Sequence, residues 1–266
     1  TTRLVGSEMC IRDSFTTEVQ EAAAPVIYGT NQVIAEKTYQ AMKFPYNQTM
    51  LMQYAVTGNE KIADTGVEKT KGIQETNVTF TAKQGVTKED DSWKIKTKKE
   101  QKATLSLDED ASGKERILYL QFDVENGHPN RDVSIVINGI RNKLTAKSHL
   151  YYNDNTTFTY VMKLSADQEK IKVTFGAGTY RICNLKSYVS DTTVLEDASL
   201  YRSTFTPDRN ATKGNQISGS IEMKQDGYLI TSIPYDSHLE IKVDGREVVT
   251  LSLIHISEPT RRVVIS

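Results

Sequence analysis

The chain has 266 residues, with 33 Lys+Arg against 34 Asp+Glu, a formal net charge of -1 and 38% hydrophobic residues. Balanced charge argues against a nucleic-acid binder, which usually carries a basic excess to neutralise phosphates. Two cysteines, Cys10 and Cys183, make neither a disulfide framework nor a zinc site. The length suits one large domain or two small ones and can bury a real core without a covalent staple.

The first string, Val5-Gly6-Ser7-Glu8-Met9-Cys10-Ile11-Arg12-Asp13-Ser14, resembles a translated sequencing adaptor. So does the last, Leu251-Ser252-Leu253-Ile254-His255-Ile256-Ser257-Glu258-Pro259-Thr260-Arg261-Arg262. Residues 1–14 and 251–266 are therefore expected to be non-native tails, and the genuine protein a fragment open at both ends.

Residues 15–75 read as a helical segment and linker. Asn31 is placed to cap a helix through Ile34, Tyr39 and Met42 to Pro45, and Asn47 a second through Leu51, Met52 and Tyr54 to Gly58. From Asn77 the hydrophobic period falls to two. Leu118, Leu120, Phe122 and Val124 alternate with Tyr119, Gln121 and Asp123, and Val133, Ile135 and Ile137 repeat the pattern up to the turn signal Asn138-Gly139. Phe158, Tyr160 and Met162 predict another strand, and Ile171, Val173 and Phe175 one more. Residues 76–190 are thus expected to form an antiparallel β-sandwich or jelly roll, with Leu120, Phe122, Val133, Ile135 and Val173 inward.

Residues 191–214 read as a connector. Residues 215–250 read as β-hairpins, one joined at Gln225-Asp226-Gly227 and one at Asp244-Gly245, with Pro234 ending a strand. A short ribbon cannot bury its apolar face alone, so Leu229, Ile233, Ile241 and Val243 are expected to pack on Ile34, Leu51 and Tyr54 of residues 31–58. The expected class is mainly β, with a small α+β subdomain built from the segments that flank the sandwich.

Three stretches carry a family resemblance. One is Gly227-Tyr228-Leu229-Ile230-Thr231-Ser232-Ile233-Pro234-Tyr235-Asp236, followed by Ile241-Lys242-Val243-Asp244-Gly245. The second is Val136-Ile137-Asn138-Gly139-Ile140 with Asn142-Lys143-Leu144, and the third Gly178-Thr179-Tyr180 leading to Leu185-Lys186-Ser187-Tyr188. Together they resemble the YfhO family of bacterial membrane proteins, although the chain continues Ser237-His238-Leu239 where the family usually has Gly-Trp. The resemblance implies a polytopic parent of glycosyltransferase type, linked to lipoteichoic acid or related wall polymers. This chain would be part of its domain on the extracytoplasmic side of the cell membrane. Expected partners are the membrane spans of the same parent chain and a polysaccharide or lipid-linked sugar, with no nucleic acid. The acidic catalytic loop of such enzymes has no counterpart here, so no catalytic residue carries over.

The residues themselves suggest little chemistry. His128, His149 and His238 lack metal spacing, and the acidic runs 88–91 and 108–110 lack the Gly and distal Glu of a calcium loop. No cofactor or metal is expected. Cys183 reads as a small buried residue. Tyr151, Tyr152 and Tyr160 are the candidate carbohydrate contacts, because a sugar's CH face packs on an aromatic ring. The preference of Tyr for strands is the simpler explanation of their number. Asn138, Gly139, Pro234, Tyr235, Asp236, Asp244 and Gly245 are read as structural motif residues. Beside the accessory-domain reading stand a free-standing carbohydrate-binding or adhesion module and a secreted hydrolase, which would need a paired-carboxylate site.

Overall fold

The structure is a computed structural model that describes residues 27–58, 71–108, 113–193, 202–213, 216–234, 240–248, 250–253 and 262–265. The expected tail 1–14 lies outside them, as do Tyr235, Asp236 and His238. The chain divides into two units, one containing residues 72–192 and the other residues 22–71 and 193–266.

The first unit is an antiparallel β-sandwich. One sheet runs β11(Ile140–Leu144), β10(Val133–Ile137), β13(Lys170–Phe175), β8(Gln101–Leu107), β5(Val78–Ala82). The other runs β12(Thr157–Leu164), β9(Arg116–Asn126), β14(Gly178–Asp191), β7(Ser92–Thr97), β6(Val86–Glu89), with β4(Gln74–Glu75) also on β14. Alternation along these strands puts every second side chain between the sheets. Leu120, Phe122, Val133, Ile135 and Val173 are all buried there, as the sequence predicts.

Aromatic rings join the two layers. Phe80 of β5 meets Trp93 of β7 edge-on at 5.5 Å between centroids, and Phe122 of β9 edge-on at 6.3 Å. Phe122 stacks on Tyr160 at 5.7 Å. The Tyr160 hydroxyl donates to the Ile135 carbonyl of the facing sheet at 3.0 Å, so its polar end is satisfied inside the core. The central strand β9 is buried on both faces over Ile117–Leu120. Burial there pushes the Tyr119 hydroxyl up to about 12, partly offset by its hydrogen bond with Ser190 at 3.1 Å.

The second unit differs from its sequence reading. Asn31 does not begin a helix. Residues 27–35 contain β1(Ile27–Thr30) and β2(Val33–Ala35), and helix within the described residues 27–58 is confined to α1(Glu36–Gln40) and α2(Tyr46–Gln53). Val33 and Ile34 are β-branched and buried, and β2 pairs in parallel with β3(Ala55–Thr57) across the two helices. Pro45, not Asn47, occupies the N-cap of α2.

Its main sheet runs β16(Gly219–Ile221), β15(Arg202–Pro207), β1, β17(Tyr228–Pro234), β21(Arg262–Ile265), β20(Thr250–Leu253). The expected 218–233 hairpin is absent, because β16 and β17 are held apart by β15 and β1. Ile230, rather than Leu229, is buried on β17, and it packs with Val33 and Ala55. Val243 is 43% exposed, so it is not part of that core. The backbone of residues 250–253 and 262–265 extends the sheet at the edge next to β17.

Phe122 touches rings on both sheets. Phe122→Ala should therefore cost about 3–5 kcal/mol of unfolding free energy, measured by denaturant titration. A loss below about 1 kcal/mol would contradict this packing.

Candidate functional site

The loop between β11 and β12 carries two of the three candidate sugar contacts, and a hydrogen-bond network fixes its shape. The Asn153 side chain ties the two ends together. Its Oδ1 accepts from the Thr145 amide at 3.0 Å and from the Asn155 amide at 3.2 Å. Its Nδ2 donates to the Lys143 carbonyl at 2.8 Å. In return, the Asn153 amide donates to the Thr145 hydroxyl at 2.9 Å.

The neighbouring 127–132 loop braces the same segment. Asp132 Oδ1 accepts from the Ala146 amide at 2.7 Å, and the Lys147 amide donates to the Pro129 carbonyl at 2.8 Å. Lys143 Nζ lies 2.6 Å from Asp132 Oδ2, and this charge-assisted contact holds the Asp132 carboxyl below its ordinary range.

At the tip of this braced loop, Leu150 is 85% exposed and Tyr151 is 75% exposed. The His149 ring lies 6.2 Å from the Tyr151 ring, and its Nδ1 accepts from the Tyr151 amide at 3.1 Å. Tyr152 is half-buried, and its hydroxyl donates to Asp154 at 2.7 Å. Tyr160 is not part of this surface. It is buried in the core between the sheets, so no saccharide reaches it. The structure brings Tyr151 and Tyr152 together on one loop and removes Tyr160 from the candidate contacts.

The motif residues find their explanation in turn geometry. Asn138 and Gly139 have φ of 50° and 86°, and Asp244 and Gly245 have 51° and 76°. A two-residue hairpin turn with both central residues left-handed matches the twist of its flanking strands, and Asn-Gly and Asp-Gly adopt it at least cost. The first joins β10 to β11, the second β18(Lys242–Val243) to β19(Arg246–Glu247). Pro234 is the last residue of β17.

The remaining reactive groups are dispersed. Among the described residues no three His, Cys, Asp or Glu side chains gather as a metal site. Cys183 is half-buried and faces outward from β14 beside a register shift, rather than filling the core. Desolvation, then the Glu125 carboxylate, push its thiol up, which disfavours the thiolate a nucleophile needs. Among the described residues no helix is long and apolar enough to cross a membrane.

Asn153→Ala should leave the half-buried Thr145 and Asn155 amides without their partner, at a cost of about 1 kcal/mol. Hydrogen exchange at the Thr145 and Asn155 amides should accelerate, while that at β9 amides stays unchanged. Unaltered exchange at Thr145 would show that the loop is held some other way.

No curated protein matches the chain in sequence. Among solved structures, the crystal structure of the botulinum neurotoxin serotype D binding domain is similar over 71% of this chain and 74% of its own. The identity is 9% and the TM-score 0.23, too low to carry any argument. The profile of a family described as bacterial membrane protein YfhO matches residues 11–255, and the chain belongs to that family.

Proposed function

We propose that this chain is an extracytoplasmic accessory domain of a polytopic, glycosyltransferase-like membrane protein that acts on lipoteichoic acid or a related wall polymer. Family membership over residues 11–255 carries the reading. The domain's task is to hold the acceptor polymer beside the membrane spans of the same parent chain, where glycosyl transfer takes place. The braced 145–156 loop supports this role. A rigid tip presenting Tyr151 loses little conformational freedom when it meets a ligand, so more of the contact energy remains as affinity. Tyr151 offers an open aromatic face to a sugar ring, and Tyr152 a hydroxyl already oriented by Asp154.

The parent protein can be tested in cells by measuring the sugar content of the wall polymer. Deleting residues 72–192 from a parent that still inserts in the membrane should abolish sugar addition. Tyr151→Ala should lower it several-fold without changing the melting temperature of the isolated chain. Normal sugar content after the deletion would overturn the accessory role.

A further inference from the structure

The near-zero net charge of the chain hides a segregation within the sandwich. The outward positions of the sheet formed by β11, β10, β13, β8 and β5 alternate with its buried ones, so the strand registers define the outer face. Lys102 of β8 stands opposite Thr174 of β13, and Lys172 opposite Thr104. Lys170 stands opposite Ser106. Val136 of β10 pairs with Arg141 of β11, and Ser134 with Lys143. Every outward residue of these strands is a cation, a Ser or a Thr, except Val136. No carboxylate stands among them. Glu100, Asp132 and Glu169 each fall just before the first residue of a strand, Asp132 being paired with Lys143, and Asp108 directly follows β8. Lys102, Lys170 and Lys172 have no carboxylate partner among the described residues.

The other sheet is built the opposite way. On its outer face Lys94 and Arg181 lie 3.2 and 3.7 Å from Glu89, and Arg181 stands opposite Glu125 in register. Asp123 accepts from Thr157 at 2.7 Å and from Asn184 at 2.8 Å. Glu89, Asp123 and Glu125 stand among its outward cations Lys94, Lys96, Lys163, Arg181 and Lys186, so part of its field cancels, whereas the strands of the first sheet carry no acid to offset theirs.

We infer that the outer face of the β11–β10–β13–β8–β5 sheet binds an extended phosphodiester-linked polyol or sugar chain. Successive outward side chains on a strand are about 6.7 Å apart and adjacent strands about 4.8 Å. Lys170, Lys172 and Lys102 therefore form a run of ammonium groups crossing two strands, with Ser106, Thr104 and Thr174 beside them as hydroxyl partners. Charge on such a face recruits phosphates, and the hydroxyl groups hydrogen-bond to the polymer's oxygens. A bilayer would call for exposed apolar and aromatic side chains, and a single-stranded nucleic acid for stacking rings. This face supplies only Val136. The inference deepens the accessory-domain reading and rests on it, by naming the surface that holds the acceptor.

The test uses the full chain, synthetic poly(glycerol phosphate) as the probe, and titration calorimetry at low and moderate salt. The wild-type chain should bind, and a fourfold rise in salt should weaken binding about tenfold, in the range expected for a few released counterions. The triple variant K102Q/K170Q/K172Q should bind at least tenfold more weakly with an unchanged melting temperature, and Lys→Arg at the same positions should restore binding. The control K94Q/K96Q/K163Q, on the opposite sheet, should bind like wild type. Equal loss in the control would assign binding to net charge and overturn the site. Binding that survives the first triple variant would place the polymer elsewhere and leave the accessory reading intact. No binding to the polymer, with binding to phosphatidylglycerol vesicles that the triple variant abolishes, would overturn the inference in favour of a lipid surface. The sugar content measured in cells judges the accessory role separately.

Discussion

Phe80 lies on one sheet of the sandwich and sets its ring edge-on against Trp93 and Phe122 of the other, at 5.5 and 6.3 Å. Aromatic rings bury much apolar area each, and edge-to-face geometry adds to that. This inter-layer contact, extended by the Phe122–Tyr160 stack, lets two sheets of polar-edged strands share one dry interior. The outer face of one sheet is then left polar, whereas the other also buries Ile117, Tyr119 and Val161 on its outer side. The exposed part of the latter mixes acids with cations, and the former presents cations among Ser and Thr.

Much of the sandwich was legible because period two is a strong signal when one face is dry. The strand at 133–137 and the second half of that at 116–126 alternate cleanly in burial, while residues 116–120 are buried on both sides. The same alternation puts Tyr160 inward between Phe158 and Met162, although its aromatic ring made it a candidate sugar contact. The carbonyl that satisfies it belongs to Ile135, 25 positions away, and sequence order does not reveal such a partner. The second unit was harder. Val33-Ile34-Ala35 is too short to show a period, and its parallel partner Ala55-Val56-Thr57 lies beyond two helices. Reading β17 one residue out of step exchanges Leu229 for Ile230, since adjacent positions face opposite sides.

The candidate site was legible only in part. Tyr151 and Tyr152 stood out as aromatics, but the network through Asn153, Thr145 and Asp132 that stiffens their loop depends on contacts between two loops. The basic face was hidden for a different reason. Summed over the chain, 33 cations and 34 anions cancel. Only strand order and register show that Lys102, Lys170 and Lys172 share a surface while Lys94 shares its own with Glu89.

If the chain serves a membrane protein of the YfhO family by holding an anionic wall polymer, its two sandwich faces must behave differently toward that polymer. Lysine acetylation footprinting of the full chain, with and without poly(glycerol phosphate), measures both faces at once. The account predicts that Lys102, Lys170 and Lys172 become protected while Lys94, Lys96 and Lys163 react at unchanged rates. Equal protection on both faces, or protection of the second set alone, would contradict it.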